Sequence, residues 1–495
     1  MPRDDSFSIP AAYKLYIGNE WVAPNGTAVL ESRSPLTGEL LCTVPDADEV
    51  DVAAAVIAAK DAFGRWSGLT ARKRSDMMLK IADRLVDDIE RFAWLETTDT
   101  GKPWRESIAN VHTAADRLRY FAGAVRGFEG NTLPVGRNIM SMDFREPLGV
   151  VGIMGAWNFP LNMFAGKIAP ALAVGNTVVY KAPEPTPLTT LELAALIGEI
   201  LPPGVVNVVT GGGETAGRAL VAHPDIRKIS LTGSSATGRI VMADAARSLK
   251  KVTLELGGKN AQIVYRDADM DAAAQGVMLG AFMNQGQVCT AGSRIFAQRA
   301  IADELVERIV ALIPKLRIGD PFERETNMGT MVFRGHYDRV LGYIERGKAE
   351  GGEIVSGGNP MSLDSFPEGL FVEPTLFAGV EDDMTVAREE IFGPVATVHI
   401  FDEEEEAVGR ANALDYGLAA GVWTEDLGRA HRTAQAVEAG RVWVNCYNLF
   451  PSAAAFGGIK ASGFGREDAV ESMLDFTQTK NVIVDYAPAR RSFYD

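Results

Sequence analysis

The segment around Cys289 holds the strongest candidate for a nucleophile in this sequence. Cys289 lies in FMNQGQVCTAGSR, where small, amide and glycine residues are typical of a loop or the start of a strand. Glycines on both sides allow backbone or ligand to approach the thiol closely. A thiolate can attack an electrophilic carbon, although no histidine lies nearby in the sequence to activate it. The alternative is an inert buried cysteine, an interpretation that also suits Cys42 and Cys446.

Two other polar residues could assist such a nucleophile. Glu255 ends the strand-like run KKVTLE just before a pair of glycines, and active groups in parallel sheets lie at the carboxyl ends of strands. It is a candidate general base, and the alternative is a solvated glutamate at a strand end. Asn158 in GAWNFP follows the run GVVGIM, so its amide could stabilise negative charge on a substrate oxygen. The alternative there is an ordinary turn asparagine.

Two segments have the composition of cofactor-binding loops. SLTGSSATG places Gly233 and Gly238 between a strand and a helix, where free backbone N–H groups bind anions. VVYKAPEPTP places Lys181 and Glu184 just after another strand, in a loop stiffened by proline. An acidic side chain at that position can bind ribose hydroxyls, and its charge repels a 2′-phosphate. The pattern therefore favours NAD over NADP.

Composition and missing motifs argue against several other function classes. The 495-residue chain has 49 Lys+Arg against 65 Asp+Glu, and its net charge of −16 disfavours nucleic-acid binding. The five histidines lack metal-ligand spacing, and neither GxSxG nor a Walker motif occurs, so we expect no metal site. No apolar run approaches the length of a membrane span or of a signal-peptide core. Three widely separated cysteines fit no disulfide framework, so we expect a cytoplasmic protein.

Alternating strand and helix patterns predict the framework that positions these residues. Between Pro147 and Glu255, five β-branched runs alternate with segments of helical length, which predicts a doubly wound, mostly parallel sheet. From about Gly257 to Lys460, further strand-like runs predict a second α/β region. Ligands of such sheets bind at the carboxyl ends of the strands, at a topological switch point.

Three local patterns complete the predicted framework. LYIGNEWV predicts two strands joined by a turn at Gly18 and Asn19. Apolar residues at helical spacing predict two helices with one buried stripe each, formed by Val50, Ala53, Ala54, Ile57 and Ala58 in the first and by Met78, Ile81, Ala82, Leu85 and Ile89 in the second. NIMSMDF and NVIVDY alternate apolar and polar residues outside the parallel rhythm, which predicts an antiparallel pair.

An ordered set of motifs resembles that of the NAD(P)-dependent aldehyde dehydrogenase superfamily. The motifs are AWNFP, KAPEPTP, LTGSSATG, LELGGKN, NQGQVCTAG, EEIFGP and FGGIKASGFGRE, and the likeness runs from about Leu15 to Val484. Its most specific feature is the pair LELGGK and GQVC, which places Glu255 and Cys289 34 residues apart. The resemblance implies an NAD-dependent enzyme that oxidises an aldehyde to a carboxylic acid.

The resemblance also implies an α/β fold in three parts. A Rossmann-like NAD-binding domain would take residues 1–129 and 148–257, and an α/β catalytic domain would take residues 258–460. A small β arm, residues 130–147 and 478–495, would join the subunits of a homodimer or homotetramer.

Roles for individual residues follow from the same resemblance. Cys289 would attack the aldehyde carbon, giving a thiohemiacetal and then a thioester, while Asn158 and the Cys289 N–H would hold the oxyanion. Glu255 would activate the water that hydrolyses the thioester. Lys167 matches a lysine near the site of the family, without a role that the sequence assigns. The implied cofactor contacts are Trp157, Lys181, Glu184, Gly233, Ser234, Gly238, Glu390 and Phe392.

The implied substrate tunnel is mostly apolar. Its lining residues would be Phe159, Asn162, Met163, Gly166, Met283, Val288, Thr290, Phe450 and Phe456. Gly166 stands where relatives often carry tryptophan, which predicts a wider tunnel, and the remaining side chains favour an apolar or aromatic aldehyde. Asn162 could bind a polar substituent. Betaine aldehyde is an alternative substrate, but its cationic group would need an aromatic cage, and Gly166 and Met283 stand at two positions where such a cage would have walls. A CoA-acylating enzyme is a second alternative, which Glu255 disfavours because such enzymes commonly lack this base.

Overall fold

The computed structural model describes residues 7–486, in which strands and helices alternate along both halves of the chain. The helices are α1 Glu49–Ser67, α2 Ala71–Asp87, α3 Ile89–Thr100, α4 Trp104–Ala124, α5 Pro160–Ala173, α6 Leu188–Gly198, α7 Arg218–Ala222, α8 Ser235–Ala246, α9 Met270–Phe282, α10 Ala302–Leu312, α11 Arg334–Ala349, α12 Thr385–Arg388, α13 Glu404–Asn412, α14 Leu427–Ala436 and α15 Ala469–Asp475. Within the described range, no helix combines the length and the apolar composition that crossing a membrane requires.

The strands fall into two large sheets and several small ones. They are β1 Leu15–Ile17, β2 Glu20–Val22, β3 Val29–Arg33, β4 Leu40–Pro45, β5 Thr132–Gly136, β6 Ile139–Pro147, β7 Val150–Met154, β8 Thr177–Lys181, β9 Val206–Val209, β10 Ile226–Thr232, β11 Lys251–Glu255, β12 Ala261–Val264, β13 Arg294–Gln298, β14 Glu353–Ser356, β15 Pro360–Leu363, β16 Phe366–Val372, β17 Thr375–Ala378, β18 Val395–Phe401, β19 Tyr416–Gly417, β20 Ala419–Trp423, β21 Arg441–Val444, β22 Ile459–Lys460, β23 Gly463–Phe464 and β24 Thr477–Asp485.

The first large sheet has the strand order β2-β1-β9-β8-β7-β10-β11-β23. Its five central strands, β9, β8, β7, β10 and β11, are parallel, as the sequence predicts. All residues of β7 and β8 are buried, because helices cover both faces of a parallel sheet. From β7 the chain continues to β8, which pairs with one edge of β7. The later strand β10 pairs with the opposite edge of β7. The topological switch point therefore lies between β7 and β10.

The second large sheet has the order β14-β17-β18-β13-β12-β20-β21 and is parallel except for β14. A third sheet joins β24, β6 and β5 in antiparallel register, with Asn481 opposite Asp143. The predicted antiparallel pairing of NIMSMDF with NVIVDY is thereby confirmed. Residues 1–6 of the predicted NAD-binding domain and residues 487–495 of the predicted arm lie outside the described residues.

The local predictions succeed at the first hairpin and fail at one helix face. Gly18 and Asn19 have φ of 63° and 65° between β1 and β2, the left-handed backbone of a two-residue turn. Helix α2 buries four of the five predicted residues, whereas Ile89 starts α3 and is half-buried. The predicted stripe of α1 is wrong, since Val50 and Ile57 are exposed. The buried stripe is instead formed by Val52, Ala55, Val56, Ala59, Ala62 and Trp66.

Candidate active site

The carboxyl ends of β7 and β10 meet at the switch point of the first sheet. Leu231 near the end of β10 lies opposite Met154, the last residue of β7. The segments that follow these strands therefore converge, which brings Trp157 beside Ser234 on the wall of one cavity. The sequence predicts this edge as the ligand site, and the structure places a cavity there.

A cavity of about 190 Å³ at this edge includes Cys289 in its wall. Besides Cys289, Trp157 and Ser234, five other residues predicted for catalysis, cofactor or substrate binding line the same cavity: Asn158, Met163, Gly233, Glu390 and Phe392. Residues that are more than 100 positions apart in the chain thus share one small volume. Phe333, His336 and Arg339, at the start of α11, also line it. The sequence analysis missed these three, because no motif or spacing sets them apart.

The backbone before Cys289 is held in a conformation that few residues tolerate. Asn284 and Gln285 have φ of 47° and 57°, and Gly286 follows with a φ of 67°. A Cβ on Gly286 would lie 2.1 Å from the carbonyl oxygen of Gly393, so the approach of the two segments requires glycine. Asn260 Nδ2 donates to the carbonyl oxygen of Cys289 at 2.9 Å. The turn that carries the thiol is therefore fixed in place.

Asn158 is bonded directly to this turn. Its Nδ2 donates to the carbonyl oxygen of Gln287 at 2.8 Å, and its buried Oδ1 has no hydrogen-bond partner within residues 7–486. One of the two amide hydrogens is therefore committed to the backbone, while the other remains available to an oxygen in the cavity. Lys102 Nζ donates to the main-chain oxygen of Asn158 at 2.9 Å, which holds the residue from behind.

Burial controls the protonation of the two central groups. Burial raises the pKa of the Cys289 thiol, and the carboxyl groups of Glu255 and Glu390 add to this effect. Burial also raises the pKa of Glu255 well above its usual value, with a further contribution from Glu467, while Lys167 acts in the opposite direction. Glu255 Oε2 has no hydrogen-bond partner among the described residues. This carboxyl group therefore binds a proton more readily than an exposed glutamate does.

Lys167 lies outside the cavity wall and next to Glu255. Its Nζ pairs with the carboxylate of Glu467 and lies 3.2 Å from the hydroxyl oxygen of Ser230. The lysine side chain is almost fully buried. Glu467 belongs to the quoted motif FGGIKASGFGRE, yet the sequence alone did not single it out.

A second cavity of about 470 Å³ continues from the first. The two share the wall around Trp157, Gly233 and Ser234, and the second also contains Lys181 and Glu184. Lys181 Nζ lies 3.1 Å from Glu184 Oε1, and burial lowers the pKa of the lysine. Together the cavities form an elongated channel along the carboxyl edge of the sheet.

The channel fits a nicotinamide dinucleotide. Ser234 caps helix α8, accepting a hydrogen bond from Thr237 N at 3.1 Å, so the start of this helix opens towards the channel and can bind a pyrophosphate. The partly exposed carboxylate of Glu184 can bind ribose hydroxyls. Gly238 does not line either cavity. A Cβ there would lie 2.6 Å from Leu256 Cδ1, so this glycine allows the helix to pack closely on the chain after β11.

The sequence profile described as the aldehyde dehydrogenase family matches residues 21–482. The chain belongs to the aldehyde dehydrogenase family. It is similar to retinaldehyde dehydrogenase 3 of Rattus norvegicus, with 45% identity over 95% of this chain and 92% of that protein. It is an enzyme that oxidises aldehydes with a nicotinamide cofactor.

Solved structures of other aldehyde dehydrogenases share the whole fold. The NAD⁺ complex of the enzyme from Bacillus cereus superposes with a TM-score of 0.94 and 42% identity over 96% of this chain and 97% of that one. Betaine aldehyde dehydrogenase from Staphylococcus aureus, also with NAD⁺, gives a TM-score of 0.94 and 36% identity over 96% and 95%. The predicted α/β fold class is thus confirmed.

Aromatic side chains surround Trp157 of this aldehyde dehydrogenase. The ring centroids of Phe333, His336 and Phe392 lie 5.5, 5.0 and 5.1 Å from that of Trp157. A hydrogen bond of 2.7 Å connects His336 Nε2 and the carbonyl oxygen of Phe392. Burial lowers the pKa of His336 to about 4, so the imidazole is neutral at pH 7. This end of the channel therefore presents flat, uncharged rings.

The predicted tunnel residues are distributed around Cys289 in two groups. Met163 lines the Cys289 cavity, and Val288 and Thr290 flank the thiol in the sequence. Thr290 Oγ1 donates to Asn448 Oδ1 at 3.2 Å, and Met283 Sδ lies 4.0 Å from Asn448 Nδ2. These contacts connect the thiol-bearing turn to the loop after β21.

The second group consists of three phenylalanines that do not line either cavity. Phe450 and Phe456 meet edge to face, with centroids 5.4 Å apart. Lys102 Nζ lies 4.3 Å from the centroid of Phe159, so this ring packs on a buried ammonium group. Of the predicted tunnel residues, only Met163 is found in the walls of the two cavities described above.

The wider tunnel predicted from Gly166 is not observed. A Cβ on Gly166 would lie 2.8 Å from Nη1 of Arg117, because the arginine side chain crosses from α4 into this space. The same Nη1 donates to Asn162 Oδ1 at 3.0 Å, so Asn162 already has a protein partner. The guanidinium of Arg117 thus fills the space that a side chain at position 166 would occupy. The sequence did not indicate that Arg117 would lie there.

Proposed function

We propose that this aldehyde dehydrogenase uses NAD to oxidise an apolar or aromatic aldehyde to its carboxylic acid, through a thiohemiacetal and a thioester on Cys289. The observation that carries the proposal is the shared cavity of Cys289, Asn158 and the predicted cofactor residues. Neither a cysteine hydrolase nor a binding protein would require a nucleophile at the end of a dinucleotide-sized channel.

The first step forms a bond between the Cys289 sulfur and the aldehyde carbon. The thiol gives up its proton to Glu255, whose raised pKa makes its carboxylate a stronger base than that of an exposed glutamate. The carbonyl oxygen becomes an oxyanion, and the free amide hydrogen of Asn158 and the N–H of Cys289 stabilise it. Asn158 is rigid enough for this role, since its other amide hydrogen is bonded to Gln287.

The channel residues would bind NAD in an extended form. Lys181 and Glu184 would contact the adenosine ribose, Gly233 and Ser234 the pyrophosphate, and Glu390 with Phe392 the nicotinamide ribose. When bound, NAD accepts the hydride that leaves the substrate carbon. The carboxylate of Glu184 repels a 2′-phosphate, which supports NAD over NADP.

Hydrolysis of the thioester needs an activated water. Glu255 first releases to solvent the proton that it took from the thiol. It then accepts a proton from this water, whose oxygen attacks the thioester carbon, and the Cys289 thiolate leaves and takes this proton back from Glu255. Lys167 is proposed as a positioning residue that tempers the pKa of Glu255 by its charge. The presence of Glu255 also supports release by water over release by CoA.

The proposal also covers the domain boundaries, the oligomeric state and the cellular compartment of the enzyme. We place the domains at the boundaries expected from the sequence, with the three-stranded sheet of β5, β6 and β24 joining subunits into a homodimer or homotetramer. Cys42, Cys289 and Cys446 are free thiols, which supports a reducing, cytoplasmic compartment.

The test is the reduction of NAD by the purified enzyme and by Cys289→Ala. We expect NADH at 340 nm without added CoA, a lower kcat/KM with NADP, and no turnover by the variant because it lacks the nucleophile. NAD binding to the variant, measured by calorimetry, should be unchanged. Cys446→Ala serves as the matched control and should remain active. Turnover by Cys289→Ala would overturn the nucleophile, and a strict need for CoA would favour the acylating alternative.

A further inference from the structure

The guanidinium of Arg441 lies against two tunnel phenylalanines of the second group. Its Cζ is 5.3 Å from the ring centroid of Phe450 and 5.2 Å from that of Phe456. Nη2 donates to the carbonyl oxygens of Ala454 at 2.7 Å and Ala455 at 2.8 Å. These hydrogen bonds connect Arg441 to the loop between Phe450 and Phe456, so the loop and the guanidinium hold each other in position.

Arg441 has no ion-pair partner among residues 7–486. Burial lowers the pKa of this guanidinium, and the positive charge of Arg117 lowers it further, while Asp468 and Glu255 act in the opposite direction. Backbone carbonyls satisfy its donors but do not neutralise its charge. A half-buried cation in this state gains free energy from an anion that reaches it.

Two acidic groups of the neighbouring segments already have other partners. Asp468 is buried and pairs with Arg117, with Nε–Oδ1 and Nη2–Oδ2 distances of 3.0 and 3.2 Å. Asp116 is exposed and accepts a hydrogen bond from the hydroxyl of Ser452 at 2.6 Å. Asp468 thus contacts Arg117, and the buried Glu255 influences Arg441 only through space. Among residues 7–486, no carboxylate forms an ion pair with Arg441.

Backbone pairing keeps these charges together. Phe456 and Glu467 exchange two hydrogen bonds, of 2.8 and 2.7 Å, and Ala469 N donates to Ser452 O at 2.9 Å. The loop that carries Arg441's carbonyl partners is thus fastened to the segment that contains Asp468. Asp468 itself has a φ of 57°, an uncommon value for a residue other than glycine. The main chain therefore holds the Arg117–Asp468 ion pair close to the loop that Arg441 contacts.

We propose that Arg441 is a specificity-determining residue, which binds a carboxylate at the end of the substrate remote from the aldehyde. This rests on the proposed function and narrows its substrate class to apolar or aromatic aldehydes that carry an acidic group. The rings of Phe450 and Phe456 would contact the hydrocarbon body beside the bound carboxylate. A trimethylammonium aldehyde is a poor substrate in this arrangement, because the guanidinium of Arg441, which lacks an ion-pair partner among residues 7–486, repels it.

Three benzaldehydes of similar size test the proposal, with a carboxylate, a carboxamide or a trimethylammonium group in the para position. We expect the wild-type enzyme to prefer the carboxylate to the carboxamide by about tenfold or more in kcat/KM, as charge-assisted hydrogen bonding allows. Arg441→Gln should raise KM for the carboxylate by about tenfold and change the values for the carboxamide by less than about twofold.

Two control variants separate specificity from loop structure. Arg441→Lys keeps the charge and should retain part of the preference. Arg72→Gln removes an exposed arginine elsewhere and should change nothing. An equal loss of activity on all three aldehydes in Arg441→Gln would overturn the proposal and leave Arg441 with a loop-holding role. If Arg441→Gln does not fold, the preference of the wild-type enzyme for the carboxylate over the carboxamide decides. A wild-type enzyme without this preference overturns the proposal.

The wild-type experiment also distinguishes this proposal from the proposed function. Oxidation of all three aldehydes with no preference for the anion refutes the role of Arg441 and leaves the NAD-dependent chemistry standing. No NADH with any aldehyde, despite NAD binding, refutes the proposed function itself.

Discussion

Burial disfavours the charged forms of both the Glu255 carboxyl and the Cys289 thiol. The negative charge of Glu255 raises the pKa of the thiol further, so ionising both groups at once is costly. A proton passed from the thiol to the carboxyl leaves only one charge in the site. In the proposed mechanism, Glu255 would therefore serve the thiol as well as the water, because accepting the proton of Cys289 would make the sulfur nucleophilic.

Replacing Glu255 by Gln should separate thioester formation from hydrolysis. The amide cannot accept a proton, so we expect a burst of NADH followed by a steady rate that is about 10²–10⁴-fold lower. Stopped-flow absorbance at 340 nm measures both phases, and Glu405→Gln, at an exposed position, is the control. A steady rate equal to that of the wild type would show that Glu255 is not the general base.

The pH dependence should follow the raised pKa of Glu255. Below that pKa the carboxyl group is protonated and cannot accept a proton, so kcat should rise as pH rises through it. The profile should reach its midpoint above pH 4.5, the ordinary value for this group. A wild-type kcat that is unchanged from pH 5 to pH 8 would contradict the assignment.

At the scale of elements, a buried ion pair braces the loop that carries Asn158. Lys102 lies just after α3 and Glu96 within it, both with fully buried side chains and with Nζ and Oε1 2.8 Å apart. Glu96 Oε2 also accepts from Leu161 N at 3.4 Å, in the first turn of α5. The pair therefore holds both Asn158 and the start of the helix behind it.

Lys102→Met should destabilise the fold and loosen Asn158 together. Removing one partner of a buried pair leaves Glu96 uncompensated, which costs about 3–5 kcal/mol. Urea unfolding measures this cost, and kcat should fall because the oxyanion donor is less well positioned. Lys60→Met is the control, since its exposed pair with Asp225 is worth about 0–1 kcal/mol. Equal effects of the two substitutions would mean that the buried pair does not brace the site.

At the scale of the whole molecule, the three-stranded sheet presents apolar side chains to solvent. Phe144 on β6 and Ile483 on β24 are 48% and 66% exposed, and Leu133 and Val135 on β5 are more than half exposed. An exposed apolar surface of this kind is typical of a subunit interface. The location agrees with the arm expected from the sequence.

Charged residues on this surface should dissociate the assembly. We expect the double variant Phe144→Asp, Ile483→Asp to have the mass of a monomer by light scattering, while the wild type has that of a dimer or tetramer. Leu427→Asp places the same charge on an exposed apolar site of α14 and should leave the mass unchanged. An unchanged mass in the arm variant would rule out this sheet as the interface.

The sequence by itself determined the elements and the location of the site. The strands of the first sheet, the hairpin at Gly18 and Asn19 and the buried stripe of α2 follow rules that act within a few residues. The motifs around Asn158, Glu255 and Cys289 identify their family because they occur together and in order. The parallel sheet then dictates that the loops after β7 and β10 meet.

Only the tertiary structure decided which apolar face of a helix is buried and which distant side chains meet at the site. Helix α1 is apolar on more than one face, and the packing of Trp66 and its neighbours on the sheet selects one of them. Arg117 fills the space over Gly166 and pairs with Asp468, 351 residues away. Arg441 lies beside them only because the loop before Phe456 is bonded to Glu467. Such contacts depend on the shape and charge of distant segments, which local sequence patterns do not contain.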